Sequence, residues 1–398
     1  MMNALSTSGA PPAGEAPEAS TPRPRDFRLP DPILRRVDNF SPFPHFKFQK
    51  MGKGRIYYDC IALKATYDLS AGTLAPSTEQ APIVLSDEYH DESPELSSLS
   101  RVGELHLPKA GTDVVLTGDA EAPGGVPTAR WTCEVIVRRS ATVVLRHTVS
   151  VTGPRHWQRG VLGGWELTDP ARVKHVPIRY ELAYGGHFAK DAPAGTPDDD
   201  NLQIHHENPS GIGLYSARDL DGTSPLPAPQ WELLAHPIKT PNRDTPLAGF
   251  GPVARMWAAR RRHGGTYDAA WHAQFDQSLE EGVAPDYPPD FDSRYFHAAH
   301  PALCSTEPLG GDERIELGGF LAAQPALGFD LPGLRPQVDI LPRSGPWARR
   351  PMALDLVHLD LEARKVYLVW RVAFDPVEQV LAAGVHLDAT SPKWKGEA

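Results

Sequence analysis

The chain has 398 residues and a formal net charge of −10. This length allows one large hydrophobic core or two cores of ordinary size. The acidic balance argues against broad electrostatic binding to nucleic acid or to anionic lipid, so neither is expected as a partner. The 41 Pro and 34 Gly residues disfavour long uninterrupted helices.

The first residues of the chain have the composition of a disordered tail, which we predict for residues 1–28. Residues 1–25 are rich in Ala, Pro, Ser and Thr and lack the basic start and apolar run of a secretory signal. No apolar run reaches the ~18 residues that a membrane-spanning helix needs. The three cysteines, Cys60, Cys133 and Cys304, are too far apart for a CxxC-type zinc site, and their odd number argues against a disulfide framework. Free thiols and a cytoplasmic location are therefore expected.

Alternation of apolar and polar residues is the clearest structural pattern in the chain. It predicts a strand over residues 55–69 and an antiparallel hairpin made of residues 131–137 and 143–151. The inner face of the first hairpin strand is predicted to carry Trp131, Cys133, Val135 and Val137. A second hairpin is predicted near the C-terminus, over residues 352–361 and 366–374. The best helical pattern is short and covers residues 252–262, where Val253, Met256 and Trp257 share a face.

These elements predict a mainly β fold with two packed β-rich regions, built of sandwich-like or barrel-like antiparallel sheets with few short helices. We place the first region at residues 29–152. The second region, with long Pro- and Gly-rich loops, is placed at residues 153–378, followed by a C-terminal segment over residues 379–398.

Residues 249–254 match the G-x-G-x-x-G/A fingerprint of dinucleotide-binding proteins, and Asp268 follows at about the distance of the ribose-binding acid. The preceding residues 240–246 contain two prolines and cannot form the buried parallel strand that this site needs. The match therefore indicates a structural turn, and no cofactor is predicted.

The 16 histidines of the chain are candidate metal ligands. The tightest groups are His205-His206-Glu207 and the pair His297 and His300, and neither has the spacing of an H-E-x-x-H site. No metal site is predicted.

Nucleophilic catalysis has equally little support in the sequence. Ser210 lacks the strand that presents the serine of a G-x-S-x-G elbow. The cysteines have packing explanations, although a spatial histidine partner for one of them stays open. The prediction is a protein that is not an enzyme; the alternative is a hydrolase or metal-dependent enzyme whose site is built from His and Asp residues of the central region.

One concentrated basic patch occurs in this acidic chain. It consists of Arg255, Trp257, Arg260, Arg261 and Arg262. Arginine and tryptophan are typical of interface hot spots, so these residues are candidates for partner binding. The alternative is an ordinary helix face with Trp257 in the core and the arginines paired to the protein's own carboxylates.

Several short phrases occur in an order that resembles a known bacterial family. They lie at residues 64–67, 109–116, 153–157, 179–186, 208–213, 249–255, 265–268, 291–296 and 366–371. Together, over residues 38–374, they resemble the family called domain of unknown function 2169, which accompanies the spike and effector proteins of type VI secretion systems.

The resemblance implies a cytosolic adaptor or chaperone that binds a secreted effector and helps load it onto the spike or spike tip, without chemistry of its own. The glycine and aromatic positions of the shared phrases suit sheet corners, since glycine allows close backbone approach and aromatic rings bury large areas. We therefore predict a structural role for a set of motif residues: Trp157, Tyr180, Glu181, Tyr184, Gly185, Gly186, Asn208, Pro209, Gly211, Gly213, Phe250 and Gly251.

Overall fold

The computed structural model describes residues 30–94, 96–190 and 201–387. Strands make up 40 % and helices 12 % of the structure. The predicted mainly β fold with few short helices is thereby confirmed. The tail predicted for residues 1–28 lies outside the described residues. Residues 388–398 of the predicted C-terminal segment also lie outside them, whereas residues 380–387 of that segment form a strand.

The strands are short in the middle of the chain and long near both ends. In chain order they are β1 (Arg36–Asn39), β2 (His45–Met51), β3 (Tyr57–Asp68), β4 (Gly72–Thr73), β5 (Ala75–Pro76), β6 (Glu88–Tyr89), β7 (Leu99–Arg101), β8 (Asp113–Thr117), β9 (Asp119–Glu121), β10 (Arg130–Arg139), β11 (Thr142–Thr152), β12 (Arg155–Arg159), β13 (Trp165–Leu167), β14 (His175–Pro177), β15 (Tyr184–Gly185), β16 (His187–Ala189), β17 (Leu202–Ile204), β18 (Ile212–Gly213), β19 (Leu226–Ala228), β20 (Trp231–Leu233), β21 (Arg314–Gly318), β22 (Ala326–Asp330), β23 (Pro336–Pro342), β24 (Ala348–Pro351), β25 (Ala353–Asp360), β26 (Lys365–Phe374) and β27 (Val380–Leu387).

The helices of the described residues lie between β18 and β21. They are α1 (Ala217–Asp221), α2 (Ala258–Arg261) and α3 (Ala269–Glu281). Single 3-10 turns occur at Lys53–Arg55, Pro123–Gly125, Tyr180–Leu182, Ser293–Phe296, Pro301–Leu303 and Pro376–Glu378. In the part of the chain that the structure describes, no helix has both the length and the apolar character to cross a membrane.

The central sheet joins the two ends of the chain. Its strand order is β2-β3-β26-β25-β8, with β5 added beside β3. The hairpin of β25 and β26 is the one predicted near the C-terminus, while β8 joins its edge in parallel. Strand β3 is covered on both faces along most of its length, which explains its nearly continuous small and apolar sequence.

A second six-stranded sheet has the order β20-β11-β10-β21-β22-β4. It contains the predicted hairpin of β10 and β11, which reverses at Ser140 with a positive φ of 55°. Its predicted inner face is confirmed, because Trp131, Cys133, Val135 and Val137 are all buried.

A third sheet, β1-β27-β23-β24, pairs the first and last strands in parallel. The β8–β25 and β22–β4 pairs are also parallel, so these three sheets are mixed rather than purely antiparallel. No sheet closes into a barrel among the described residues.

One large hydrophobic cluster links these three sheets, and it includes residues from both predicted regions, such as Leu63, Val135, Phe250 and Trp370. A smaller cluster around Trp157 and Tyr184 lies beside the three-stranded sheet β13-β12-β19. Strands from residues 29–152 and from residues 153–378 pair within the same sheets, as β3 does with β26.

Candidate functional site

A close backbone contact builds the floor of the candidate site. The segment before β8 lies against the turn that follows residue 300, and Ser305 exchanges hydrogen bonds with Thr112 through its backbone N–H (2.9 Å) and its hydroxyl oxygen (2.7 Å). A Cβ atom at Gly111 would lie 1.8 Å from the Ser305 carbonyl oxygen. Glycine is therefore required in the 109–116 phrase for the two segments to meet.

Asp113, the first residue of β8, is the centre of a buried polar network. Its carboxylate accepts hydrogen bonds from Lys109 Nζ (2.5 Å), His297 Nδ1 (2.6 Å) and the Ala298 backbone N–H (2.7 Å). Burial favours a higher pKa for Asp113, but the Lys109 charge and these hydrogen bonds outweigh it and hold the pKa below its ordinary value. Asp113 is therefore ionised at neutral pH and neutralised by Lys109.

Cys304 lies beside this network. One potential ligand atom from each of Asp113, His297 and Cys304 falls within 4.8 Å of the other two, so the three residues form a possible metal-binding group. Burial, followed by the charge of Asp113, raises the thiol pKa well above its ordinary value. The thiol is thus protonated at neutral pH, and its Sγ lies 3.5 Å from the His300 carbonyl oxygen.

The donor chemistry of the group fits a metal ion poorly. The Lys109 ammonium already contacts Asp113 at 2.5 Å and would repel a second cation there.

Helix α2 borders the same site. The sequence pattern predicts a helix over residues 252–262, and this prediction is wrong for residues 252–257, which are not helical. Trp257 precedes the helix and is fully buried against the ring of Tyr180, with the ring centroids 5.3 Å apart. Arg260 is 5 % exposed, and it donates hydrogen bonds to the backbone carbonyls of Tyr295 (3.1 Å) and Val253 (3.0 Å). The helix begins late because the backbone of Val253 is bonded elsewhere, its N–H to the Ala298 carbonyl (2.7 Å) and its carbonyl to Arg260.

The other candidate partner-binding arginines lie nearer the surface. Arg255 forms an ion pair with Asp87 at 2.7 Å, and Arg262 forms one with Glu207. Arg261 is exposed and forms no ion pair with the residues described. Of the basic patch, Arg261 is thus the residue best placed for direct contact with a partner, whereas Trp257 and Arg260 belong to the interior.

A pocket of about 340 Å³ opens between α2 and the turns at residues 293–296 and 301–303. Its cationic side is formed by Arg260, Arg262, His263, Arg294 and His297. The remaining wall is small and partly apolar, with Ala110, Ala259, Ala299, Pro301, Cys304, Ser305 and Thr306. The pocket therefore joins residues from two of the sequence phrases, Ala110 and Arg294, with the basic patch.

The motif residues expected to be structural occupy another part of the molecule. Asn208 is fully buried, and its side-chain amide donates hydrogen bonds to the carbonyls of Tyr180 (2.8 Å) and Tyr184 (3.1 Å). A Cβ at Gly185 would lie 2.1 Å from the Asn208 carbonyl oxygen. Glu181 accepts two hydrogen bonds from Ser98, one from its N–H at 3.0 Å and one from its hydroxyl at 2.8 Å.

The rest of this set is also well packed. Tyr180 donates its hydroxyl hydrogen to the Gly251 carbonyl at 3.0 Å, and Phe250 lies between the rings of Trp231 and Phe320. The backbone sites with little room for a side chain are Gly186, Gly211 and Gly213, and the buried side chains include Trp157 and Pro209.

Protein side chains occupy the space beside the turn at residues 249–254, which matches the dinucleotide fingerprint. A Cβ at Gly249 would lie 2.6 Å from the Tyr180 ring, and the Gly249 carbonyl accepts a hydrogen bond from His147 at 3.0 Å. Asp268 caps helix α3 by accepting the Trp271 N–H at 2.9 Å. This turn therefore leaves no open cradle for a pyrophosphate.

The histidine groups do not converge on one site. His205 pairs with Asp244 at 3.0 Å, His206 is exposed, and Glu207 is held by Arg262. His300 stacks on His147 with ring centroids 4.1 Å apart, away from the Asp113 network that His297 joins.

Exposed apolar residues also lie outside the pocket. At the tip of the β12–β13 hairpin, Val161 and Leu162 are exposed to 103 % and 99 %. On the third sheet, a groove of about 660 Å³ is lined by Phe40 and Trp347, which are 74 % and 57 % exposed.

Sequence reasoning missed the combination of Lys109, Asp113, His297 and Cys304. In the sequence, His297 forms a pair with His300, and Cys304 is one of three widely separated cysteines. Residues 109–116 are distinguished only by the family resemblance. The four-residue spacing of Lys109 and Asp113 was a weak signal, because these residues are not on a helix.

The comparisons with known proteins agree with the resemblance at the level of the family. No curated protein and no solved structure matches the chain. The model of a bacterial family, described as "Uncharacterized protein conserved in bacteria (DUF2169)", matches residues 56–371. This range begins just before β3, ends within β26 and contains the whole pocket, and the chain belongs to the DUF2169 family.

Proposed function

We propose that this chain is a non-enzymatic adaptor or chaperone that binds a type VI secretion effector in the cytoplasm and helps load it onto the spike or spike tip. The family resemblance motivates the secretion role. The observation that carries protein binding is the hairpin tip, where Val161 and Leu162 present adjacent, fully exposed apolar side chains. Exposed apolar pairs of this kind gain free energy when a partner covers them.

The hairpin tip is held by a well-fixed stem. The guanidinium of Arg159 lies over the Trp165 ring at 4.3 Å and donates a hydrogen bond to the Gly163 carbonyl at 2.8 Å. The Gly160 N–H donates to the Gly164 carbonyl at 2.8 Å and closes the loop. A partner would therefore meet a preorganised tip and lose little conformational entropy in binding it.

The alternative is a hydrolase or metal-dependent enzyme with a site built from His and Asp residues of the central region. In the described residues, the cluster that could serve such chemistry is Asp113, His297 and Cys304. The raised pKa of the Cys304 thiol works against a nucleophilic thiolate. The carboxylate of Asp113 is engaged by Lys109 and His297, so it has little capacity left for acid–base work. These features favour the adaptor.

The proposal is tested by measuring calorimetrically the affinity of the full chain for the type VI secretion effector and spike proteins of the same bacterium. The double variant V161S/L162S is expected to bind the effector at least about tenfold more weakly, since each hot-spot side chain contributes about 1–2 kcal/mol. The matched control is V377S, because Val377 is 87 % exposed in a different turn. It is expected to bind as the unmodified chain does.

Absence of binding to both effector and spike would contradict the adaptor function. Equal weakening by V161S/L162S and V377S would exclude the hairpin tip. A hydrolytic activity of the purified chain that disappears in both C304S and H297Q would support the enzyme instead.

A further inference from the structure

Arg260 carries a buried charge without a carboxylate partner in direct contact. Two of its guanidinium nitrogens, Nε and Nη1, donate to backbone carbonyls, and the third, Nη2, has no acceptor among the described residues. No ion pair of Arg260 occurs in that part of the chain. Its guanidinium also lies over the Tyr295 ring, 5.6 Å from the ring centroid. A buried guanidinium whose contacts are neutral carbonyls and an aromatic ring retains a preference for an anion.

The neighbouring charges cancel in pairs and leave Arg260 in excess. Arg262 is paired with Glu207, and Arg294 with Asp292 at 2.6 Å. On the floor of the pocket, Lys109 neutralises Asp113 at 2.5 Å. Burial and the charge of Arg294 lower the pKa of His263, so this ring is mostly neutral at pH 7. Among the lysine and arginine side chains at the pocket, Arg260 is therefore the one that has no ion pair in the described part of the chain.

The size and lining of the pocket define the kind of anion. Its volume of about 340 Å³ lies at the lower end of the range of small-molecule sites, about 300–1,000 Å³. The methyl groups of Ala110, Ala259 and Ala299 give the pocket an apolar part of its lining. A phosphate group brings a charge of about −1.5 to −2, which exceeds the single charge that Arg260 supplies. A monoanion on a short aliphatic chain matches both the charge and the apolar part of the lining.

We propose that this pocket binds a carboxylate group on a short aliphatic chain, with the carboxylate paired to Arg260. The group can come from a free small carboxylic acid or from a glutamate side chain of a polypeptide, because both present the same chemistry. The site does not depend on the adaptor function, since neither the hairpin tip nor an effector enters the argument.

Binding is tested by ligand-observed NMR titration of the full chain with butyrate, and with butyramide as the neutral analogue of equal shape. Butyrate is expected to saturate and to bind at least tenfold more tightly than butyramide, because a charge-assisted hydrogen bond to a buried guanidinium is lost with the amide. A blocked peptide Ala-Ala-Glu-Ala-Ala and its Gln counterpart identify the source. Tighter binding of the Glu peptide than of butyrate assigns the pocket to a polypeptide, and weaker binding assigns it to a free acid.

Substitution of Ala110, an exposed residue of the pocket wall, gives a matched pair of variants. A110E places a competing carboxylate in the pocket and is expected to weaken butyrate binding at least tenfold, whereas A110Q, of the same size, is expected to weaken it much less. R260Q is expected to lose butyrate binding, and its melting temperature shows whether it is folded. If R260Q does not fold, the comparison of A110E with A110Q still decides the question.

Four results would overturn the proposal. They are the absence of saturable butyrate binding up to roughly 10 mM, equal binding of butyrate and butyramide, equal effects of A110E and A110Q, and tighter binding of inorganic phosphate than of butyrate.

Discussion

Replacing Asp113 by Asn tests whether the buried network below the pocket stabilises the fold. The substitution keeps the shape of the side chain but removes the negative charge that neutralises Lys109, whose side chain is fully buried and contacts Asp113 Oδ2 at 2.5 Å. Removing one partner of a buried ion pair costs about 3–5 kcal/mol. The free energy of unfolding is therefore expected to fall by about this amount, with a decrease in melting temperature of roughly 6 °C or more.

The assay is urea-induced unfolding at pH 7, with the m value compared to establish that the denatured state is unchanged. The double variant K109M/D113N is the control, and it is expected to be more stable than D113N because it leaves no buried unpaired ammonium. The lowered pKa of Asp113 means that its stabilisation is complete above its unfolded pKa of about 4 and is lost as the pH falls below that value. D113N should lose that part of the acid sensitivity. A loss below about 1 kcal/mol in D113N, or a double variant less stable than D113N, would refute this explanation of the network.

Three further predictions concern other parts of the molecule. Burial lowers the pKa of His147 to about 3 and of His300 to about 4, so the folded state binds fewer protons than the unfolded state below pH 6.5. The free energy of unfolding should therefore be highest above pH 6.5 and fall between pH 6 and 4 by up to about 1.4 kcal/mol per pH unit for each histidine. Urea unfolding of H147Q/H300Q should show a smaller pH dependence. R261E should leave the melting temperature unchanged within about 1 °C, whereas R260E should lower it by several degrees, since only Arg260 is buried; equal effects in thermal scans would contradict the assignment. G185A should cost about 2–3 kcal/mol, because the added Cβ would lie 2.1 Å from a carbonyl oxygen; a chemical denaturation midpoint equal to that of the unmodified chain would show that the backbone relaxes freely.

The long strands could be predicted from sequence because their patterns are local. The hairpins of β10–β11 and β25–β26 have alternating inward residues separated by short turns, and both were found near their observed positions. Strand β3 was also found, although its burial on both faces exceeds what alternation alone indicates.

The helices could be predicted less well. Residues 252–262 have a helical pattern, but only Ala258–Arg261 is helical, because the Val253 backbone bonds to Ala298 and to the Arg260 side chain instead of to a helical turn. The longer helix α3 was missed, since its residues are mostly exposed and give little apolar periodicity. Its end signals were present in the sequence, with Asp268 as N-cap and Gly282 in the left-handed region at φ 69°.

The pocket could not be predicted from sequence. Asp113 and His297 are 184 residues apart, and no local pattern indicates that they form a hydrogen bond. The inward direction of Arg260 depends on carbonyls of residues 253 and 295, so a charge count on the helix could not separate it from the exposed Arg261.

The pairing of β3 with β26 has a consequence for how the chain is made. Lys365 bonds to Asp68 across this pair, a separation of 297 residues. Strand pairings between such distant residues slow folding. During synthesis, β3 is already outside the ribosome while its partner strand has not been translated, which leaves a long apolar strand edge open to other chains. The nascent chain therefore passes through an aggregation-prone stage that ends only when almost the whole protein has been synthesised.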